Sequence, residues 1–217
     1  MSYNMNSSIS LLHYVHCPFC IRVRMAFDFA QIPYQSIVVP YNDEKTPLDL
    51  CGVKMLPIVK TEKDAMNESL DIIQHYCNNK IDQPSAERLA EVTALTDKLG
   101  KSIHNLAMPY FIWTPEFDDD SRKYFQDKKE KKRGPFKELM KKKDEFVLEL
   151  TPQLEILEKD LTPFYKSSNL ALEDIMIAAH LWALFIVPEF QFSPKIYQYL
   201  MDVKKITGFE YHKDYME

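Results

Sequence analysis

Two cysteines separated by two residues, Cys17 and Cys20 in "HCPFC", are the residues of this sequence best suited to chemistry. The thiolate is the nucleophile in thiol–disulfide exchange, so a reactive cysteine needs a lowered pKa. The N-terminus of a helix provides this through its free N–H groups and its dipole. Arg22 and Arg24 add positive charge nearby, and His16 flanks the first thiol. The pattern favours a redox centre.

A structural pair of thiols and a metal site are the alternatives. A structural zinc site takes four ligands and usually a second paired motif. The remaining cysteines, Cys51 and Cys77, are single, and we expect them to pack in the core like small hydrophobic residues. His16 could be a third ligand, but no fourth is evident, so we expect no metal.

Two further stretches suggest a binding site for a peptide-like thiol. In "KMLPIV", a cis Leu56–Pro57 bond would turn the backbone of Leu56 outward, where an extended peptide could pair with it as an added strand. In "NESL", Glu68 and Ser69 open a predicted helix. N–H groups and a hydroxyl at such a position bind a carboxylate, although ordinary helix capping is the alternative.

These stretches require a scaffold, and the first 78 residues predict one with the order β-α-β-α-β-β-α. The predicted strands cover residues 10–14, 34–39 and 57–60, with a possible fourth within 61–66. The predicted helices cover residues 17–30, 46–51 and 68–77. Pro18 fits the first helical position of the first helix. In the second helix, Thr46 is the predicted N-cap and Gly52 lies just past the end.

A polar linker is predicted at residues 79–86, after which residues 87–217 are predicted to be all-helical. We expect Pro109 to interrupt the first helix of this part, and Pro152 to kink or break a later one. The apolar stretch "EDIMIAAHLWALFIV" predicts a central, buried helix. The predicted helices cover residues 84–107, 118–132, 136–161, 173–187 and 193–208.

Composition indicates a globular protein with no general attraction to polyanions. The chain has 217 residues, 46% hydrophobic and 27% charged, with a net charge of −5. We therefore expect no nucleic-acid or membrane partner, and we interpret the lysine-rich segment 128–143 as a solvated helix face. The N-terminal stretch lacks the basic residues of a signal peptide, and the longest apolar run is too short for a bilayer. A cytoplasmic protein is expected, with no disulfide framework.

The motifs "CPFC", "LPIV" and "ESLDI" resemble the pattern of glutaredoxins and glutathione transferases on a thioredoxin-like domain. With "NDEKTP" and "RKYFQDKKE", the resemblance extends over nearly the whole chain to the two-domain glutaredoxin 2 family. It implies an α/β thioredoxin-like N-terminal domain plus an all-α C-terminal domain, in a glutathione-transferase-like architecture. The implied domains are residues 1–78 and 87–217.

The resemblance also implies the site and its chemistry. Cys17 would be the nucleophilic thiolate and Cys20 the resolving thiol, with glutathione as cosubstrate and no metal. The partners would be disulfide-bonded or glutathionylated proteins, and the chain would act as a monomer. The implied glutathione-binding residues are Phe19, Met55, Leu56, Pro57, Glu68 and Ser69.

Two positions depart from the family pattern. Phe19 replaces a common tyrosine, which removes a hydroxyl near the thiol. Ala171 stands where a serine or threonine usually caps the helix at Asp174, at a cost of about 1 kcal/mol. A glutathione transferase that conjugates electrophiles, and a binding module for a partner or an iron–sulfur cluster, are the alternative functions.

Overall fold

A computed structural model of the chain describes residues 9–210, which form a mixed sheet with flanking helices followed by a helical region. The sheet has the order β2-β1-β3-β4, with β1 parallel to β2 and antiparallel to β3, and β3 antiparallel to β4. The predicted strand order along the chain is confirmed, including the short fourth strand. The strands are β1 (Ser10–His13), β2 (Gln35–Val38), β3 (Ile58–Lys60) and β4 (Ala65–Met66).

Three helices accompany the sheet: α1 (Pro18–Phe29), α2 (Lys45–Cys51) and α3 (Ser69–Cys77). Helix α1 begins with Pro18 at its first position, as predicted. The predicted N-cap of α2 was wrong by two residues, because Glu44 and not Thr46 is its N-cap, and the Thr46 N–H donates to Asp43 Oδ1 at 2.9 Å. Gly52 ends this helix with φ of 71°, a conformation that glycine adopts at little cost.

The rest of the described chain is helical. Its helices are α4 (Ala86–Phe111), α5 (Asp119–Arg133), α6 (Phe136–Lys141), α7 (Lys143–Asp160), α8 (Leu172–Leu181), the 3₁₀ helix Trp182–Ile186, and α9 (Pro194–Thr207). Within residues 9–210 no helix has both the length and the apolar character needed to cross a membrane.

The predicted interruption at Pro109 and the predicted break at Pro152 were both wrong. Pro109 lies in the last turn of α4, which continues to Phe111. Pro152 lies inside α7, and the break occurs earlier, at Lys142 between α6 and α7. The carbonyl opposite Pro152 belongs to Leu148, whose side chain is 74% exposed. On that solvent side, water can satisfy the carbonyl that loses its hydrogen bond, so the helix continues.

Helix α1 is buried on all sides from Cys20 to Phe27, and α3, α8 and α9 pack against it. We expected only one buried side from its apolar spacing. The largest buried cluster runs without interruption from the sheet into the helical region, and includes Leu11, Ile21, Leu99, Ile175 and Leu200. The helix that begins at the cysteine pair thus belongs to a core shared by both parts of the chain.

The start of α8 has the weak cap that the sequence predicts. Ala171 is the N-cap and offers no side-chain acceptor. The buried Asp174 carboxylate instead accepts from the N–H groups of Ala171 and Tyr165, at 2.9 and 2.8 Å. Burial raises the pKa of Asp174 to about 6, although these two hydrogen bonds oppose the shift. The carboxylate therefore ties the preceding loop to the helix start.

Candidate active site

Cys17 lies at the N-cap of α1, at the junction of strand β1 and the helix. The largest cause of its altered acidity is a hydrogen bond from the Cys20 thiol. Burial opposes this effect, but the N–H groups of Cys20 and Phe19 and the charge of Arg22 add to it. Together they lower the pKa of Cys17 from 9.0 to about 7. A large fraction of Cys17 is therefore thiolate at neutral pH.

Cys20 lies one helical turn deeper, and its pKa is shifted in the opposite direction to that of Cys17. It is fully buried, and the Tyr14 N–H donates to its sulfur at 3.4 Å. Burial, together with the hydrogen bond to Cys17, raises the pKa of Cys20 well above its ordinary value. Both thiols are free. The pair therefore has one thiolate at the surface and one protonated thiol beneath it.

The "MLPI" segment lies next to Cys17. The Leu56–Pro57 peptide bond is cis, as predicted. Met55 and Leu56 line a cleft of about 270 Å³ together with Cys17 and Phe19. The structure therefore brings this segment and the cysteine motif together.

The "NESL" segment lies on the opposite side of Phe19. A pocket of about 370 Å³ there is lined by Phe19, Glu68 and Ser69. Glu68 has φ of 69°, which is strained for a residue with a side chain. Its carboxylate caps no N–H of α3 within residues 9–210, so ordinary capping does not account for this residue. Ser69 is buried as the first residue of α3. We name this space the charged pocket.

Two charged residues that the sequence analysis did not select complete the charged pocket. Arg22 is 4% exposed, lies 4.8 Å over the Phe19 ring, and has an Nε without a hydrogen-bond partner among the described residues. Burial lowers the pKa of Arg22 only to about 10, so it stays cationic. Asp97 comes from α4 in the helical region. A single sequence gives no signal for Asp97, because its position depends on how the two regions pack.

The first cleft, which we name the apolar cleft, lies between the sheet region and the helical region. Tyr14 and Tyr41 stack in parallel along one side, with ring centres 4.0 Å apart. Met108, Phe111 and Phe125 line it from the helical region. The apolar cleft therefore combines flat aromatic walls with direct access to the Cys17 sulfur.

His16 connects the cysteine motif to the helical region. Its Nε2 lies 2.5 Å from Glu116 Oε1 and 2.8 Å from Thr114 Oγ1, and its ring stacks on Phe111 at 4.2 Å. Both members of the His16–Glu116 pair are almost fully buried. Burial disfavours ionisation of Glu116, but the hydrogen bond and charge of His16, together with hydrogen bonds from Thr114 and the Glu116 N–H, outweigh it and lower the pKa of this carboxyl. The sequence placed His16 beside the thiol but gave no indication of Glu116.

In the part of the chain that the structure describes, no cluster of three or more His, Cys, Asp or Glu side chains is arranged to hold a metal ion.

Comparison with known proteins agrees with this geometry. The family model for the C-terminal domain of glutaredoxin 2 matches residues 91–215, and that for the N-terminal domain of glutathione S-transferases matches residues 11–84. Glutaredoxin 2 of Escherichia coli strain K12 is 30% identical over 207 residues, which cover 92% of this chain and 95% of that protein. The chain belongs to the glutaredoxin 2 family. The resemblance found in its motifs is thereby confirmed.

Solved structures support the same conclusion. Glutaredoxin 2 from Salmonella typhimurium, crystallised in complex with glutathione, superposes with a TM-score of 0.83 at 26% identity, covering 96% of this chain and 99% of that one. A glutathione transferase from Phanerochaete chrysosporium superposes with a TM-score of 0.80 at 14% identity, covering 94% and 98%. The second match shows the fold alone. The predicted fold of a glutaredoxin with glutathione-transferase-like architecture is confirmed.

Proposed function

We propose that this glutaredoxin is a glutathione-dependent thiol–disulfide oxidoreductase that reduces disulfides and glutathionylated thiols. The observation that carries the proposal is the cysteine pair itself. Cys17 is ionised near neutral pH at a helix N-terminus, and Cys20 lies protonated one turn beneath it. A thiolate nucleophile with a second thiol one turn away suits disulfide exchange, in which a mixed disulfide forms and is then resolved.

The reaction begins with attack of the Cys17 thiolate on one sulfur of the substrate disulfide. A mixed disulfide forms on Cys17, and the other sulfur leaves as a thiolate. Either glutathione or Cys20 then attacks Cys17, which releases the second half of the substrate. Cys17 then carries glutathione by either route, because glutathione also opens the Cys17–Cys20 disulfide. A further glutathione attacks the glutathione sulfur of this mixed disulfide, which restores the Cys17 thiolate and releases glutathione disulfide. Reduction of an ordinary disulfide consumes two glutathione molecules, and reduction of a glutathionylated thiol consumes one.

We propose that glutathione lies across Phe19 with its γ-glutamyl end in the charged pocket. Glu68 and Asp97 would bind the α-ammonium group, because both carboxylates line that pocket. Ser69, through its hydroxyl and N–H at the start of α3, would bind the α-carboxylate. The buried Arg22 lines the same pocket and would balance that negative charge.

The remaining proposed contacts lie on the side of the apolar cleft. The backbone of Leu56, next to Pro57, would pair with the cysteinyl residue of glutathione in the manner of an added strand. Met55 would pack beside it, since both residues line the cleft with Cys17. We propose that the chain acts as a monomer. A compartment in which thiols stay reduced, the cytoplasm, is the one we propose.

Conjugation of glutathione to an electrophile is less favoured as the activity. Conjugation needs only an activated glutathione thiolate, and the Cys17–Cys20 pair would have no part in it. Activity towards an aryl halide that survives Cys17→Ser would support this alternative.

The test is glutathione-dependent reduction of a small neutral mixed disulfide, such as that between glutathione and 2-mercaptoethanol. Oxidation of NADPH by glutathione reductase would follow the reaction for the unmodified protein and for Cys17→Ser. We expect turnover that disappears with Cys17. Absence of turnover in the unmodified protein would overturn the proposal, and equal turnover in Cys17→Ser would remove Cys17 as the nucleophile.

A further inference from the structure

The apolar cleft contains an ammonium group beside the nucleophile. Lys129, on α5, lines this cleft together with Cys17, and its Nζ lies 5.3 Å from the centre of the Phe125 ring. Burial lowers the pKa of Lys129, and the negative charge of Cys17 opposes that shift. The ammonium group is thus partly withdrawn from water, and it lies close enough to the Cys17 sulfur for the two charges to interact.

Neighbouring charges do not neutralise Lys129. Lys54, which also lines the cleft, donates to Tyr41 O at 2.9 Å and to Glu44 Oε1 at 3.0 Å. Lys129 makes no hydrogen bond or ion pair within residues 9–210, and no Asp or Glu of that range lines the cleft. Burial lowers the pKa of His104 in the same wall to about 3, so it is neutral at pH 7. Lys129 is therefore a cation without a carboxylate partner.

The thiolate of Cys17 is the negative group that faces Lys129 in the resting protein. That charge disappears when Cys17 forms a mixed disulfide, because the sulfur is then neutral. At this step no negative charge on Cys17 compensates the partly buried ammonium group, which is unfavourable. A substrate that brings its own negative charge into the cleft restores the balance.

We propose that Lys129 is a specificity-determining residue that binds a carboxylate on the thiol exchanged at Cys17. The preferred second substrate is then a thiol or disulfide whose substituent is flat and apolar and carries one carboxylate. The aromatic walls suit such a substituent. The volume of about 270 Å³ suits a single ring, since pockets for larger ligands start at roughly 300 Å³. This inference rests on the proposed exchange chemistry at Cys17, and it adds the substrate class.

The exchange step balances with such a substrate. The Cys17 thiolate attacks one sulfur of a symmetrical aryl disulfide, one aryl group stays bound to Cys17, and the other leaves as an aryl thiolate. The protein thiol is oxidised and the leaving sulfur is reduced. The carboxylate of the bound ring lies against Lys129 while the ring contacts the aromatic walls.

The test compares two aryl disulfides that differ only in charge, 5,5′-dithiobis(2-nitrobenzoate) and its dicarboxamide. Reduced protein is mixed with each in a stopped-flow instrument, and the absorbance of the released aryl thiolate gives the rate. The reaction of Cys17→Ser is subtracted to remove the other thiols. We expect Lys129→Gln to lower the rate with the carboxylate by about tenfold and with the carboxamide by less than about twofold, because only the former loses a charge-assisted hydrogen bond.

Two variants control for general electrostatics. Lys131→Gln makes the same change in net charge at an exposed position of the same helix, and it should leave both rates unchanged. Lys129→Arg keeps the cation and should retain the preference for the carboxylate. An unchanged carboxamide rate in Lys129→Gln also shows that the variant is folded.

Two outcomes would overturn the inference. Equal losses on both disulfides would mean that Lys129 acts only through the Cys17 thiolate. Unchanged rates on both would mean that it does not contact the substrate. This reaction needs no glutathione, so it tests Lys129 even if the turnover assay of the proposed function fails.

Discussion

Two pockets meet at Phe19, and their chemistry differs sharply. The charged pocket contains side chains of both signs, Arg22 on one hand and Glu68 and Asp97 on the other. The apolar cleft has aromatic walls and the cation Lys129, which has no carboxylate partner within residues 9–210. A zwitterionic group such as the γ-glutamyl end of glutathione suits the first, and an apolar group with one negative charge suits the second. The comparison supports our proposal that the two halves of a substrate disulfide are recognised separately.

Cys17 lines the apolar cleft, and Phe19, two residues along the chain, lines both pockets, so the comparison has experimental consequences. A change in one pocket should affect one half of the substrate and spare the other. A change in the thiols themselves should affect both halves or separate the two routes of resolution.

The largest effect is expected from Cys20→Ser. Reduction of a protein disulfide without a glutathione intermediate needs Cys20, so its rate should fall by about 1,000-fold. Reduction of a glutathione mixed disulfide should change by less than about threefold, because glutathione resolves Cys17 there. Insulin reduction and the mixed-disulfide assay measure the two reactions. Similar losses in both reactions would show that the glutathione route also depends on Cys20.

Glu116→Ala should destabilise the wall of the apolar cleft. It removes the carboxylate that lies 2.5 Å from Nε2 of the buried His16, and we expect a loss of about 3 kcal/mol in the free energy of unfolding in urea. Glu116→Gln is the matched variant, since it keeps an acceptor, and about 1 kcal/mol is expected. If the folded fraction of Glu116→Ala has an unchanged KM for glutathione, the charged pocket is independent of this pair. A raised KM would show that the His16–Glu116 pair also affects glutathione binding in the charged pocket.

The pH dependence of the Cys17 reaction tests the ionisation of the nucleophile beside which both halves of the substrate would bind. The ionised form reacts, so the rate with a neutral disulfide should rise with pH through about 7, the pKa of Cys17. Between pH 6 and 8 the rise should be about tenfold. Cys20→Ala removes the largest stabilising hydrogen bond and should move the midpoint to higher pH. A midpoint that stays near 7 in this variant would show that the helix N-terminus and Arg22 suffice.

The smallest effect is expected from the exposed carboxylates of the charged pocket. Glu68→Gln combined with Asp97→Asn should raise the KM for glutathione about fivefold, because exposed charges interact weakly. The rate with the aryl dicarboxylate should not change. Asp144→Asn, at an exposed position of α7, is the control. An unchanged KM in the double variant would place the γ-glutamyl group elsewhere.

Local signals account for most of what could be predicted from the sequence. Pro18 after Cys17 predicts the start of α1, and Gly52 predicts the end of α2, because each residue type has one strong backbone preference. The motif residues on both sides of Phe19 were also found this way. Pro152 shows the limit of such signals, since the proline is tolerated inside α7 and the helix breaks at Lys142 instead.

Long-range packing accounts for what could not be predicted. Asp97, Glu116 and Lys129 reach the site from the helical region, about 80 to 110 residues from the cysteine motif in sequence. Their residue types alone are ordinary for helix surfaces and loops. Only the docking of the helical region onto α1 gives them a relation to Cys17.

The burial of α1 on all sides has a consequence for how the chain unfolds. Because one core cluster includes Ile21 of α1 and Ile175 of α8, neither region can open without exposing the apolar surface of the other. Heat or denaturant should therefore melt the redox helix and the helical region in one cooperative transition. The smallest functional module in this architecture is then the whole two-part chain, even though the reacting atoms come from a stretch of four residues.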